Sequence, residues 1–156
     1  MTSPQSISVP DLISALARWG MAAVWIIAGI QKLDARMEMT QAIEAYGIFT
    51  PEWSGYLAYL IGPLELMGGV LLLLGLFLRE ASAVAAVVLA LFMVGIAQAW
   101  ARGLVIDCGC FGYDPADVRQ GMNYALTLLR DAFFLALTVW TIRRPYRRYA
   151  LHPVDC

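Results

Sequence analysis

Charged side chains are scarce in this 156-residue sequence, where Asp, Glu, Lys and Arg together make up 15%. An ordinary soluble domain contains about a quarter. The formal net charge is only -1, so the charge gives no reason to expect binding to nucleic acid. Apolar side chains account for 60% of the residues. This balance excludes an ordinary soluble domain and indicates a protein embedded in a lipid bilayer.

Residues that bind transition metals are also few, since the sequence contains one histidine and three cysteines. A structural metal site needs about four nitrogen or sulfur ligands. His152 and Cys156 lie in the C-terminal tail, far along the chain from Cys108 and Cys110. We therefore expect no metal site within a single chain.

Long apolar segments dominate the rest of the sequence. Four blocks are long enough for a helix to cross a bilayer core of about 30 Å, and they cover residues 12–31, 54–78, 81–101 and 121–142. We predict an all-α membrane protein, a four-transmembrane-helix bundle forming a single integral membrane domain over residues 1–156. Between the first two blocks, the spacing of Met39, Ile43 and Tyr46 predicts a short outer amphipathic segment on the membrane surface.

The positions of lysine and arginine predict the orientation of the bundle, because cytoplasmic loops are enriched in these residues. One side carries Arg79, Arg143, Arg144, Arg147 and Arg148. The other side carries Lys32, Arg36, Arg102 and Arg119. The rule places the basic tail, residues 143–156, and the N-terminus in the cytoplasm. The loop at residues 102–120 then faces the periplasm or the cell exterior, as expected for a multi-pass protein of the inner, cytoplasmic membrane.

That outer loop contains Cys108 and Cys110, which are separated only by Gly109. Disulfides persist in oxidising compartments outside the cytoplasm. A disulfide closed across one residue forms a small, strained ring, and strained disulfides are the exchangeable ones. A structural disulfide is the alternative, although so short a ring removes little entropy from the unfolded chain. The spacing favours a redox-active disulfide with Cys108 and Cys110 as the catalytic pair.

Ionisable residues inside membrane helices are rare and commonly functional. Here they are Arg18, Glu65, Arg130 and Asp131. Counted from the helix ends, Glu65 and Arg130 lie at similar depth, which predicts an ion pair between them, and Arg18 could join through Asp131. Such a network can simply fix the packing of the helices. Alternatively, Glu65, Arg130 and Arg18 could form a polar centre that binds a quinone head group or relays protons.

Several short motifs also resemble a known family. They are Arg18, the AGIQK run at residues 28–32, the PLEL run at residues 63–66, and RGLVIDCGCFG at residues 102–112. Together they resemble the MauE family of methylamine utilisation membrane proteins, which is related to the DoxX-like membrane proteins. The likeness extends from about residue 11 to residue 142, and its CGCFG element is the most specific part.

The resemblance implies a bacterial membrane protein whose CGC thiols work with a thioredoxin-like partner to supply disulfides to an exported protein. In the named family, this role accompanies maturation of the disulfide-rich small subunit of methylamine dehydrogenase. DoxX-like relatives are linked to quinol oxidation. The residues that carry over are Cys108 and Cys110, with Glu65, Arg18 and Lys32 as further candidates.

Three functions therefore compete. The first is a membrane-embedded thiol–disulfide oxidoreductase that exchanges disulfides with a thioredoxin-like or exported thiol protein and passes electrons to a quinone. The second is a non-catalytic assembly or scaffold subunit of a redox enzyme maturation complex. The third is a small-molecule binder or transporter that uses Glu65 and Arg130, although four spans without repeats are few for a transporter.

Overall fold

The computed structural model describes residues 9–106, 123–146 and 150–151. Within these ranges the chain forms five helices and no strand. The helices are α1 (Val9–Asp34), α2 (Arg36–Ala45), α3 (Pro51–Leu74), α4 (Leu78–Ala101) and α5 (Tyr124–Arg143). The three cysteines and His152 lie outside the described residues.

Four of these helices, α1, α3, α4 and α5, are long and apolar enough to cross a membrane. The shortest of them contains 20 residues, which at about 1.5 Å per residue matches the bilayer core of about 30 Å. The prediction of an all-α membrane bundle is confirmed. Each predicted block corresponds to one helix, but α1 continues to Asp34, beyond the predicted end at residue 31.

The helices run alternately up and down, so each end of the bundle gathers parts distant in sequence. At the end that we call the loop end lie Asp34, α2, Pro51, Ala101 and Tyr124. At the opposite end, the tail end, lie Val9, Leu74, Leu78 and Arg143. Helix α1 packs chiefly against α3, and α4 packs chiefly against α5.

Glycines allow α1 and α3 to approach closely. A Cβ atom placed on Gly29 would lie 2.6 Å from the backbone nitrogen of Leu66 and 2.9 Å from the carbonyl oxygen of Gly62. A Cβ on Gly69 would lie 2.8 Å from the backbone nitrogen of Ile26. In a lipid bilayer the hydrophobic effect does not drive helices together, so close packing of this kind contributes much of the stability of helix–helix contacts.

The predicted amphipathic segment forms helix α2. Its Met39 and Ile43 are buried and pack in one cluster with Ala58 of α3. The apolar face of α2 therefore rests on α3, and this contact holds the helix at the loop end of the bundle.

The turn from α3 to α4 closes the tail end. Gly75 adopts a left-handed conformation with φ 72°, and a Cβ there would lie 2.7 Å from Ala150. The backbone N–H of Leu151 donates to the carbonyl oxygen of Leu74 at 3.0 Å. Residues 150–151 are therefore held against the end of α3, and only glycine fits between them.

Candidate functional site

A cavity of about 50 Å³ lies inside the bundle between α1, α3, α4 and α5. A single water needs only about 10–15 Å³ of such volume, so the space can hold more than one water or a small polar group. Its lining residues are Met21, Val24, Trp25, Ala28, Lys32, Glu65, Leu89, Phe92, Arg130, Asp131 and Phe134. Four of them are ionisable, and most of the others are large and apolar.

The first ion pair in this cavity joins α1 to α3. Lys32 Nζ lies 2.6 Å from both carboxylate oxygens of Glu65, and these side chains are 2% and 8% exposed. Lys32 Nζ also lies 5.7 Å from the centre of the Phe92 ring, within the range of a cation–π contact. The close approach of the two helices at Gly29 brings this lysine to the carboxylate. Two buried opposite charges thereby compensate each other.

The second ion pair is formed by neighbouring residues of α5. Arg130 donates from Nε to Asp131 Oδ1 at 2.9 Å, and its Nη2 lies 2.9 Å from the same oxygen. The side chain of Asp131 is 3% exposed. Its second oxygen, Oδ2, is buried and has no hydrogen-bond partner in the part of the chain that the structure describes.

These contacts correct the predicted polar network in three ways. Glu65 is paired with Lys32, and Arg130 with Asp131, instead of Glu65 with Arg130. Lys32 lies within α1 and is 2% exposed, so it is not a charge of the outer segment. The prediction failed because it ended the first helix at residue 31 and therefore left Lys32 outside the bundle.

Arg18 also differs from its predicted position in that network. Its guanidinium donates to three carbonyl oxygens at 2.9 Å: Nε to Leu72, Nη2 to Leu73 and Nη1 to Tyr146. The last carbonyls of a helix have no partner within the helix, so Arg18 satisfies the end of α3 and ties it to the segment after α5. Arg18 is not among the described residues that line the cavity, and its contacts indicate a structural role.

The catalytic candidates Cys108 and Cys110 lie outside the described residues, but both flanks of their loop are described. Tyr124 donates from its hydroxyl to the carbonyl oxygen of Leu104. Its ring stacks on Trp100 with a centroid distance of 6.1 Å and an interplanar angle of 5°. Arg130 follows Tyr124 by six residues, about 9 Å along a helix. The ionic cavity therefore begins less than two helical turns below the point where the loop joins α5.

A periodic signal in the sequence could have identified more of this site. Met21, Trp25, Ala28 and Lys32 follow one another at intervals of three or four residues, so they lie on one face of α1. All four line the cavity. Phe92 and Phe134 had no such signal, because aromatic residues are common throughout these helices.

The family model described as methylamine utilisation protein MauE matches residues 10–144. The chain belongs to the MauE family. The matched range covers all four spanning helices except the first residue, Val9, so this MauE protein is a multi-pass membrane protein. No curated protein and no solved structure gives a significant match.

The lining of the cavity in this MauE protein combines apolar rings with buried polar groups, but its volume of about 50 Å³ is well below the roughly 150 Å³ of a cavity that binds benzene, so the head group of a quinone fits only if the helices move apart. The rings of Trp25, Phe92 and Phe134 supply apolar walls, and Asp131 supplies a buried carboxylate oxygen, Oδ2. Such a mixture of apolar walls and a few polar groups is typical of small-molecule sites. By contrast, no group of three or more His, Cys, Asp or Glu side chains suited to a metal ion occurs among the described residues.

Proposed function

We propose that this MauE-family protein is a membrane-embedded thiol–disulfide redox protein whose Cys108 and Cys110 exchange disulfides with a thioredoxin-like or exported thiol protein. The observation that carries the proposal is the CGC pair itself, which lies within the range matched by the family. The cavity below its loop supports it, because ionisable groups buried in a membrane bundle are expected at functional sites.

The exchange proceeds in two displacements that conserve atoms and electrons. A thiolate of the partner attacks one sulfur of the Cys108–Cys110 disulfide, which forms a mixed disulfide and releases the other cysteine as a thiolate. The second thiolate of the partner then attacks the partner's sulfur atom in the mixed disulfide. This step forms a disulfide within the partner and releases the remaining cysteine of the pair as a thiolate. The partner leaves oxidised, and Cys108 and Cys110 are both reduced. The reducing direction follows the same steps in reverse.

We further propose that the electron acceptor is a quinone bound in the cavity at Glu65 and Arg130. A bound quinone would accept the two electrons and two protons released when Cys108 and Cys110 form their disulfide again. The Lys32–Glu65 and Arg130–Asp131 pairs hold the polar groups in fixed positions. Glu65→Gln removes one negative charge at nearly constant shape, so we expect it to slow electron transfer to a soluble quinone analogue.

The proposed topology places the thiols in the periplasm or outside the cell and both termini in the cytoplasm, in the inner membrane. The burial of Lys32 supports it. With that lysine inside the bundle, the loop side keeps three basic residues, Arg36, Arg102 and Arg119, against the five on the tail side. The excess of lysine and arginine on the proposed cytoplasmic side is therefore larger than the sequence alone indicated.

The alternative is a non-catalytic scaffold subunit of a redox maturation complex, in which the thiols only constrain the loop. It is favoured by the structural roles of Arg18 and of the Lys32–Glu65 pair. A variant with both Cys108→Ser and Cys110→Ser separates the two functions. If the protein is a scaffold, this double variant still supports maturation of the partner. If the protein is a redox protein, the double variant does not support it.

The direct test is the reduction potential of the Cys108–Cys110 pair. Purified protein would be equilibrated in graded dithiothreitol or glutathione buffers, and its thiols counted by alkylation and mass spectrometry. A reversible two-electron transition between about -270 and -120 mV, the range of known oxidoreductases, supports exchange. A disulfide that stays closed below about -300 mV, or thiols that never pair, contradicts it.

A further inference from the structure

The segment that follows α5 is fixed against the tail end of the bundle. Arg18 donates from Nη1 to the carbonyl oxygen of Tyr146 at 2.9 Å. The backbone N–H of Leu151 donates to the carbonyl oxygen of Leu74, the last residue of α3, at 3.0 Å. The end of α5 is therefore tied to the end of α3, and the charged side chains beside these contacts keep a defined place at the tail end.

Exposed arginines collect at this end of the bundle. They are Arg79 at the start of α4, and Arg143 and Arg144 at the end of α5. Because α4 and α5 pack against each other, these two helix ends lie on the same side of the bundle. The acidic residues described at the tail end are Asp11 and Glu80, so exposed arginine is in excess there.

The loop end has the opposite balance of exposed charge. Among the described residues it carries two exposed arginines, Arg36 and Arg102, and four exposed carboxylates, Asp34, Glu38, Glu44 and Glu52. The sequence increases the difference between the two ends, because Arg147 and Arg148 directly follow Tyr146. The tail end therefore attracts anions and the loop end does not.

The arginines of the tail end lie at the depth of the lipid head groups. The spanning helix α5 ends at Arg143, and Arg144 follows it directly. Trp140, one turn earlier, donates from its indole N–H to Ser14 Oγ at 3.1 Å, and the guanidinium of Arg144 lies 5.9 Å from the centre of its ring. Tryptophan is enriched where the hydrocarbon core meets the head groups. Arg144 is therefore held next to the layer that contains the lipid phosphates.

We propose that Arg79, Arg143 and Arg144 form a binding surface for anionic phospholipids, with phosphatidylglycerol as the representative lipid. A guanidinium binds two phosphate oxygens through parallel N–H···O hydrogen bonds. Phosphatidylcholine carries the same phosphate, but its choline cation cancels the charge, so it gains less from the excess of arginine. Each basic residue near the membrane surface strengthens the binding of anionic lipid about fivefold. The surface lies at the opposite end of the bundle from the cysteine loop and does not depend on thiol exchange.

The test uses native mass spectrometry to count the lipids that the full-length protein retains from detergent containing equal amounts of phosphatidylglycerol and phosphatidylcholine. We expect the wild type to retain phosphatidylglycerol preferentially, and Arg144→Gln to reduce that preference about fivefold. Because Arg144 is exposed, the variant should unfold at the same temperature as the wild type in detergent alone. Equal retention of the two lipids by the wild type, or an unchanged preference in Arg144→Gln, would overturn the proposal.

Arg36→Gln is the matched control, because Arg36 is also exposed and its guanidinium lies 4.8 Å from the centre of the Tyr59 ring. It removes the same charge from the loop end, so it should leave the lipid preference unchanged. An equal fall in both variants would mean that only the net charge of the protein matters, which contradicts a surface at the tail end. Inorganic phosphate in excess over the lipid should not displace it. Displacement would identify a soluble anion as the ligand and would also contradict the proposal.

Discussion

At the scale of single residues, the Lys32–Glu65 pair places two opposite charges in the interior of the bundle. Each side chain is nearly inaccessible, and each has its countercharge 2.6 Å away. Removing one partner from a buried pair leaves the other charge uncompensated and costs about 3–5 kcal/mol. Replacing both with apolar residues of similar size costs far less, because no charge then remains buried.

We therefore predict that Lys32→Met and Glu65→Leu each lower the free energy of unfolding by about 3–5 kcal/mol. The double variant should regain most of that loss. Thermal unfolding of the purified protein in detergent measures all three variants, and Asp34→Asn, an exposed position near the end of the same helix, is the control. Losses that simply add in the double variant would show that the two side chains act independently.

Arg18 provides a second prediction at this scale, because one guanidinium serves carbonyls of Leu72, Leu73 and Tyr146. Lysine keeps the positive charge but lacks the planar arrangement of five donors. We predict that Arg18→Lys lowers the free energy of unfolding by about 1.5–3 kcal/mol, the value of one hydrogen bond to a charged group. Limited proteolysis should also cleave the segment after α5 faster than in the wild type.

Arg79→Lys makes the same chemical change at an exposed position beside the α3–α4 turn. It should alter neither the stability nor the rate of proteolysis. If Arg18→Lys behaves like Arg79→Lys in both measurements, then Arg18 does not hold the tail end together.

At the scale of helices, the contact between α1 and α3 determines where Lys32 and Glu65 meet. A Cβ atom on Gly29 would collide with backbone atoms of both Gly62 and Leu66. Backbone atoms cannot move aside as a flexible side chain can, so the whole helix must shift. Lys32 lies one turn further along α1, and that shift would change its distance from Glu65.

We predict that Gly29→Ala lowers the free energy of unfolding by about 1–3 kcal/mol, the usual cost of an overfilled contact. It should also weaken binding in the cavity, because it moves Lys32. Gly20→Ala is the control on the same helix, since nothing lies within 4 Å of a Cβ at that position. The unfolding temperatures of the two variants are compared. Equal values would mean that the close approach of α1 and α3 at Gly29 does not contribute to stability.

At the scale of the whole molecule, the four spans could be predicted from hydropathy because each requires only a long apolar run. The side-chain partners could not be predicted, since they depend on helix rotation and on where each helix ends. Lys32 illustrates the limit. The helix α1 ends three residues later than predicted, so Lys32 lies inside the bundle as the partner of Glu65 and not in the outer segment. Asp131 could be recognised as an intramembrane charge, but only the structure distinguished its used oxygen from its unused one.

The orientation of the bundle gives a prediction that involves both sides of the membrane. The proposed topology puts Cys108 and Cys110 on the outer side and Cys156 on the cytoplasmic side. Three spans lie between the N-terminus and the loop, and one span lies between the loop and the C-terminus, so the loop faces the side opposite to both termini. In intact cells, a membrane-impermeant maleimide should label a variant that retains only Cys108 after mild reduction. A variant that retains only Cys156 should be labelled only after the membrane is permeabilised. Labelling of Cys156 in intact cells would show that the topology is the reverse of the proposed one. The thiol pair would then lie in the reducing cytoplasm, where disulfides do not persist and the protein could not supply them.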